Sequence, residues 1–345
     1  MPEARTDRMG TQRLVLLFVL LFLICLGLGY PILNRIEWQR APGGLSDLQE
    51  YAKLVTSPPT PDLEQHVQFR VLVPYVARPF YRLALAHGGS WDPVMFGLLV
   101  ANSLFVSGTV TALLMIALQQ TGNYSVALGS ALLYLLNFVV PNLRLYGFID
   151  SGEAFFLMLV LWALVRERYF LLPVWAILGS LAKESFVPFL IVFTATWWIV
   201  TRRRESQGWV KLIWLLTSWA ASLITMTILQ WGITGVLRSP LMFGLGLHHH
   251  SEYLAHFVRL VRDRNLWYTF IWLAPLGIPR VRKFPLAWRA ATVATCVCAL
   301  LLDRYYGGQP GTMARALFTL AAPLLSVSAA WLLFEPRDGV SMNIG

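Results

Sequence analysis

Residues 14–30 read LVLLFVLLFLICLGLGY, seventeen positions without a charged side chain. A hydrocarbon core about 30 Å thick takes roughly 17–25 apolar residues per helical crossing, so this stretch is long enough to span a bilayer. Arg5, Arg8 and Arg13 precede it like the basic region of a signal peptide. No small-x-small cleavage site follows, and the segment reads as an uncleaved anchor. The rest of the chain continues in the same character: 345 residues, 57% hydrophobic and 13% charged, with a mean hydropathy of +0.58. Soluble domains carry about 25% charged residues. That gap excludes a soluble fold, a disordered chain, a coiled coil and a disulfide scaffold, and leaves an all-α polytopic membrane protein. Cys25, Cys296 and Cys298 lie inside apolar runs and read as small core residues.

Further apolar runs occupy 94–118, 125–140, 154–164 with its flanks, 213–231, 266–278, 290–302 and 316–334. The run 169–200 is too long for one helix, and Lys183-Glu184-Ser185 in its middle marks a polar turn between two shorter ones. The expectation is about ten transmembrane helices in one membrane domain covering 1–345. Lys and Arg in short connections set direction. With the N-terminus inside, Arg166, Arg168, Arg202, Arg203, Arg204, Lys211, Arg280, Arg282 and Lys283 all fall on the cytoplasmic side. The short outer turns keep Arg144, Lys183, Arg304 and Arg315. The net charge of +10 is therefore largely a topology signal, not a mark of nucleic-acid binding. Of the eighteen acids, six fall inside and twelve outside. Two outer segments are long, 31–92 and 234–265, and the outer face is where a polar site can be built.

In the first outer loop, Ala41-Pro42-Gly43-Gly44 makes a turn and Ser46 opens a helix, with Ser46 and Gln49 matching a capping box. Leu48, Tyr51, Ala52 and Val55 form an apolar stripe at helical spacing, so this helix lies amphipathically along the membrane surface. Asp47 and Glu50, three apart, are expected on its other face. Asp47 reads either as a carboxylate favoured by the helix N-terminus or as a general base at the lipid–water boundary. Ser57-Pro58-Pro59-Thr60-Pro61 ends the helix. Arg70, Arg78 and Arg82 then follow at multiples of four and line one face if the helix survives Pro74 and Pro79, which predict a kink or break. Such arginines either snorkel to lipid headgroups or clamp a phosphate, for which the guanidinium fork is suited.

Asp150 and Glu153 flank Ser151-Gly152 at the mouth of the fourth crossing. The pair can hold a divalent cation, receive a proton, or simply start a helix. Lys183-Glu184 reads as an internal ion pair or as a functional pair lining a cavity. His248-His249-His250 lack the spacing of metal ligands. Leu254, Phe257, Val258 and Val261, with Arg259, Arg262 and Arg264 opposite, read as a second interfacial helix. Asp303, Arg304 and Arg315 bracket a glycine-containing turn, 305–313, placed to act as a lid. No Walker A, dinucleotide glycine fingerprint, H-E-x-x-H or nucleophile elbow is present.

Read in order, these pieces resemble the GT-C superfamily of membrane glycosyltransferases, especially its bacterial polyprenyl-phosphate-sugar-dependent members. Asp47-Leu48-Gln49-Glu50-Tyr51 is similar to that family's Asp-x-x-x-Tyr pattern. Phe69-Arg70-Val71-Leu72-Val73-Pro74 resembles a segment before its second helix, and Asp150-x-x-Glu153, Leu181-Ala182-Lys183-Glu184 and Arg315 are similar to later outer-turn features. The resemblance implies an inner-membrane protein with an outward-facing site. It implies inverting transfer of a sugar from a polyprenyl-phosphate donor to an acceptor. Asp47, with Glu50 beside it, is then the catalytic carboxylate. Tyr51, Arg70, Arg78, Asp150, Glu153, Lys183, Glu184 and Arg315 are substrate-binding positions, with Asp150 and Glu153 the positions for a divalent cation if one is used. Glu50 departs from the second acid standing next to the first in better-known members. Besides membrane lipid and the lipid-linked donor, no partner is implied.

Two other readings stay open. A lipid or solute transporter predicts charges deep within helices, whereas nearly all lie at helix ends. A non-catalytic subunit of envelope-polymer assembly makes the outer acids structural. The enzyme reading requires Asp47, Asp150, Lys183 and Arg315 to converge.

Overall fold

The computed structural model describes residues 10–33, 46–60, 63, 67–87, 89–202, 208–236, 258, 260–306 and 311–335. Among these there are helices and turns and no strand. The α-helices are α1 (Thr11–Leu33), α2 (Ser46–Thr56), α3 (Leu72–His87), α4 (Pro93–Thr121), α5 (Tyr124–Leu135) and α6 (Asp150–Val165). They continue with α7 (Leu172–Ala182), α8 (Phe186–Thr201), α9 (Gly208–Thr234), α10 (Arg264–Phe270), α11 (Leu273–Gly277), α12 (Leu286–Tyr306) and α13 (Thr312–Phe334). The turn at 41–44, the histidines at 248–250, Leu254, Phe257, Arg259 and part of the 305–313 turn lie outside the described residues. So do Arg203, Arg204 and the side chains of Ser46, Asp303 and Arg304.

Helix α4 is the centre of the bundle. Its start is fixed by Asp92, whose carboxylate accepts from the Val94 and Met95 amides, with Pro93 at the first helical position. Its end is fixed by Gly122 in the left-handed region (φ 64°). It packs on α1, α3, α5 and α6 and is 83% buried over its most apolar stretch, against 22% for α1 and for α9. A helix apolar all round belongs in the interior. Gly97 lets α3 approach: a Cβ there would stand 2.8 Å from the Ala77 carbonyl oxygen. Helix α13 closes the other side against α5, α11 and α12, while α8 lies on α12 and α7 on α9. Cys25 is buried, and all three cysteines are free thiols.

Among the described residues four helices, α1, α4, α9 and α13, are long and apolar enough to cross a membrane. The other apolar runs form shorter helices, because polar groups and prolines interrupt them. The run at 125–140 yields α5 of 12 residues. Asn137 then leaves the helix, caps the Val139 amide and donates to the Thr269 carbonyl at 2.9 Å. A π-helical turn follows at Val140–Arg144. The run at 266–278 divides into α10 and α11, of 7 and 5 residues.

Helix α3 corrects the expectation of a break. It runs unbroken through Pro74 and Pro79. Pro74 sits in the first turn, where amides have no helical partner to lose. Arg70 precedes the helix, so the three arginines do not share a helical face. Arg70 is buried, Arg78 is half-buried and Arg82 is exposed. Lys211 pairs with Glu167 at 3.4 Å, and Arg280 with Glu335 at 3.1 Å, at one end of the bundle. The starts of α6, α8 and α13 lie at the opposite end.

Candidate functional site

The site is built from α2 and from backbone ends. On α2, Leu48, Tyr51, Ala52 and Val55 are all buried, as the stripe requires. Asp47 is buried with them, one turn before Tyr51. This corrects the expectation that Asp47 and Glu50 share a solvent face. The edge of the buried stripe runs between them, and Glu50 instead pairs with the exposed Lys53 on its own helix. Arg78 also lies apart. Its guanidinium donates to the Leu54 carbonyl at 3.0 Å and the Ser57 carbonyl at 2.6 Å, and lies 3.9 Å over the Tyr75 ring. Those carbonyls are the loose C-terminal acceptors of α2, so Arg78 fastens α2 to α3 and is not spare for a phosphate.

The remaining candidates meet. Arg70 grips Glu184 through both arms of its fork, Nε to Oε2 at 2.8 Å and Nη2 to Oε1, and its Nη1 donates to the Tyr51 hydroxyl at 2.6 Å. Lys183 Nζ lies 2.6 Å from Asp150 Oδ1 and 3.5 Å from Glu153 Oε2. Arg315 Nη1 takes the other Asp150 oxygen at 2.8 Å, and its guanidinium covers the Phe148 ring at 4.4 Å. Glu184 on Arg70 and Lys183 on Asp150 are neighbours in the chain, which joins the two groups of pairs.

Local structure explains the convergence. Asp150 and Glu153 occupy the first turn of α6, where the helix dipole favours carboxylates. Arg315 occupies the first turn of α13. Lys183 ends α7 in an extended conformation, and Glu184 and Ser185 complete the turn into α8. Gly152 permits the approach: a Cβ there would stand 2.7 Å from Val73 Cγ2 and 3.1 Å from Ala182 Cβ.

Burial sets the electrostatics. Asp47, Arg70, Asp150, Glu153, Lys183 and Arg315 are each 8% exposed or less. Burial would raise the Glu184 carboxyl, but the charge and hydrogen bonds of Arg70 outweigh it and hold the group below the usual carboxylate range. Burial pushes the Tyr51 phenol up to about 12. Tyr51 thus keeps its proton, and can donate while accepting from Arg70.

Two members were missed in the sequence. Ser185 donates to Glu153 Oε1 at 2.6 Å, and Phe148 forms the apolar floor under Arg315. Ser185 stood in the quoted polar turn and was legible as a hydroxyl beside charges; Phe148 carried no signal. Before α13, Asp263 caps α10 and its second oxygen accepts from the Gly311 amide at 2.7 Å. A divalent cation fits poorly. Both Asp150 oxygens are engaged by cations, Glu153 is shared between Ser185 and Lys183, and among the described residues no three His, Cys or acidic side chains gather as a metal set.

The arrangement can bind an anion on fixed cations and can accept a proton on a buried carboxylate. Compared with protein-family models, curated proteins and solved structures, the chain has no match in any of the three.

Proposed function

We propose that this chain is a membrane glycosyltransferase that moves a sugar from a polyprenyl-phosphate donor to an acceptor hydroxyl. The observation that carries the reading is the meeting of Tyr51, Arg70, Asp150, Lys183, Glu184 and Arg315, brought from five separate segments, with Asp47 buried one turn before Tyr51 on α2. In this reading about ten segments enter the membrane, the basic end faces the cytoplasm, and the cluster faces outward from a bacterial inner membrane. The donor phosphate sits against Arg70, Lys183 and Arg315, whose fixed charges stabilise the leaving group as its negative charge develops. The acceptor oxygen attacks the sugar's anomeric carbon, the bond from that carbon to the phosphate oxygen breaks, and the electron pair leaves with polyprenyl phosphate. Asp47 takes the acceptor's proton, and the anomeric centre inverts.

The test is Asp47→Asn in membranes supplied with radiolabelled polyprenyl-phosphate sugar. Transfer should fall at least a hundredfold while expression and thermal unfolding stay as in wild type. Normal transfer by that variant removes the reading.

A second reading, a non-catalytic subunit, draws on a specific observation: the cations of the cluster are already paired with carboxylates. It predicts that Asp47→Asn leaves envelope polymer unchanged while Lys183→Met removes the protein from the membrane.

A further inference from the structure

The most accessible carboxylate of the cluster is also the one seated on the best phosphate receptor. Glu184 meets Arg70 fork to fork, with both carboxylate oxygens on Nε and Nη2. A phosphate engages a guanidinium in the same geometry. The third arm of Arg70 is steadied by Tyr51, whose hydroxyl proton can turn to a further oxygen. Asp150 is a worse place for entry, since each of its oxygens holds a different cation and an incoming anion would have to break two pairs. Among the described residues Glu184 pairs with one cation, Arg70, and its side chain is 9% exposed against 3% for Asp150 and 0% for Glu153.

Charge points the same way. In the ion pairs of the cluster, three carboxyl groups, Asp150, Glu153 and Glu184, meet three cations, Arg70, Lys183 and Arg315. A phosphate carrying up to about two negative charges makes the cluster net acidic unless a carboxylate leaves. Glu184 lies in the three-residue turn between α7 and α8, with no side-chain cap fixing the start of α8. It can swing away while Lys183 keeps Asp150 in place.

We propose that Glu184 holds the seat of a phosphate monoester on Arg70, and that a phosphate-bearing ligand enters by exchange with this carboxylate. The inference rests on reading the cluster as a phosphate-lipid site. Glu184 then acts as a selectivity residue: an anion that cannot match both arms of the fork fails to displace it.

Binding is measured without any sugar present, so its outcome is independent of transfer. Full-length protein in detergent is titrated with undecaprenyl phosphate, with undecaprenol as the neutral control and with inorganic phosphate. Glu184→Gln keeps the shape and removes the competing charge, and should bind undecaprenyl phosphate roughly tenfold tighter than wild type, as loss of one charged competitor implies. Arg70→Gln placed on top of it should erase the gain. Tightening with inorganic phosphate as well supports recognition of the bare phosphate; tightening with the lipid alone supports a headgroup presented from the membrane. Equal or weaker binding of both by a folded Glu184→Gln protein overturns the exchange. Wild-type protein gives a second readout. Carbodiimide labelling of Glu184, followed by mass spectrometry, should speed up at least threefold when undecaprenyl phosphate is added. An unchanged or slower rate overturns the proposal even if the variant does not fold.

Discussion

Lys183 and Asp150 lie 33 residues apart in the chain, yet Lys183 Nζ stands 2.6 Å from Asp150 Oδ1 in the interior. This contact joins the end of α7 to the start of α6. Glu153 shares the same ammonium at 3.5 Å, so one cation serves two carboxylates. Buried pairs of this kind contribute little net stability, but removing one partner strands the other and costs about 3–5 kcal/mol. Lys183→Met should therefore destabilise the protein by that amount, measured by thermal unfolding in detergent. Adding Glu153→Gln should restore part of the loss, because Arg315 still covers Asp150 while, among the described residues, Glu153 pairs with no second cation.

The Arg70–Glu184 pair gives acid sensitivity with a definite sign. The folded carboxyl sits below its ordinary value of about 4.3. Its contribution is complete above that unfolded value and is lost as pH falls through the lower folded one. Melting temperatures of wild type and Glu184→Gln should accordingly converge as pH falls from about 4.3 through the lower folded value. A constant difference across that window removes the assignment.

Gly152 is required by packing. Substituting Ala sets a methyl group against Val73 and Ala182 at distances that force a shift. Overpacking of this kind costs about 1–3 kcal/mol, and the shift acts on the turn that carries Asp150 and Glu153. Gly152→Ala should lower both the melting temperature and transfer, whereas Gly208→Ala, where nothing lies within 4 Å, should lower neither.

Arg144 is fully buried and, among the described residues, has no carboxylate partner. Its acceptors are the Tyr134 hydroxyl and Thr319 Oγ1, the latter at 2.7 Å, and the Phe318 ring lies 4.9 Å from it. Thr319→Val keeps the volume and withdraws one acceptor from a buried cation. A cost of about 1.5–3 kcal/mol is expected, read from unfolding, and Tyr134→Phe should show a comparable loss.

The chain's membrane character, its helices and the buried stripe of α2 were legible from sequence because hydrophobic periodicity is a local property. The polar members of the site were legible as a set for a related reason: in a chain with 13% charged residues, an ionisable group at an outer helix end has few bland explanations. Sequence spacing failed where two charges competed for one direction. Asp47 and Glu50 looked alike, and so did Arg70 and Arg78, until α2 and α3 were packed.

What the sequence determined by itself, then, was a helical membrane bundle with a few ionisable residues marked out at helix ends. Only the tertiary structure decided who pairs with whom: Lys183 with Asp150, Arg70 with Glu184, and Arg315 with Asp150, at separations of 33, 114 and 165 residues. Apolar burial acts over one or two turns and leaves its period in the chain. A buried ion pair depends on which helix ends are brought together, and that is fixed by packing of distant segments, as where Gly152 lets α6 meet α3 and α7.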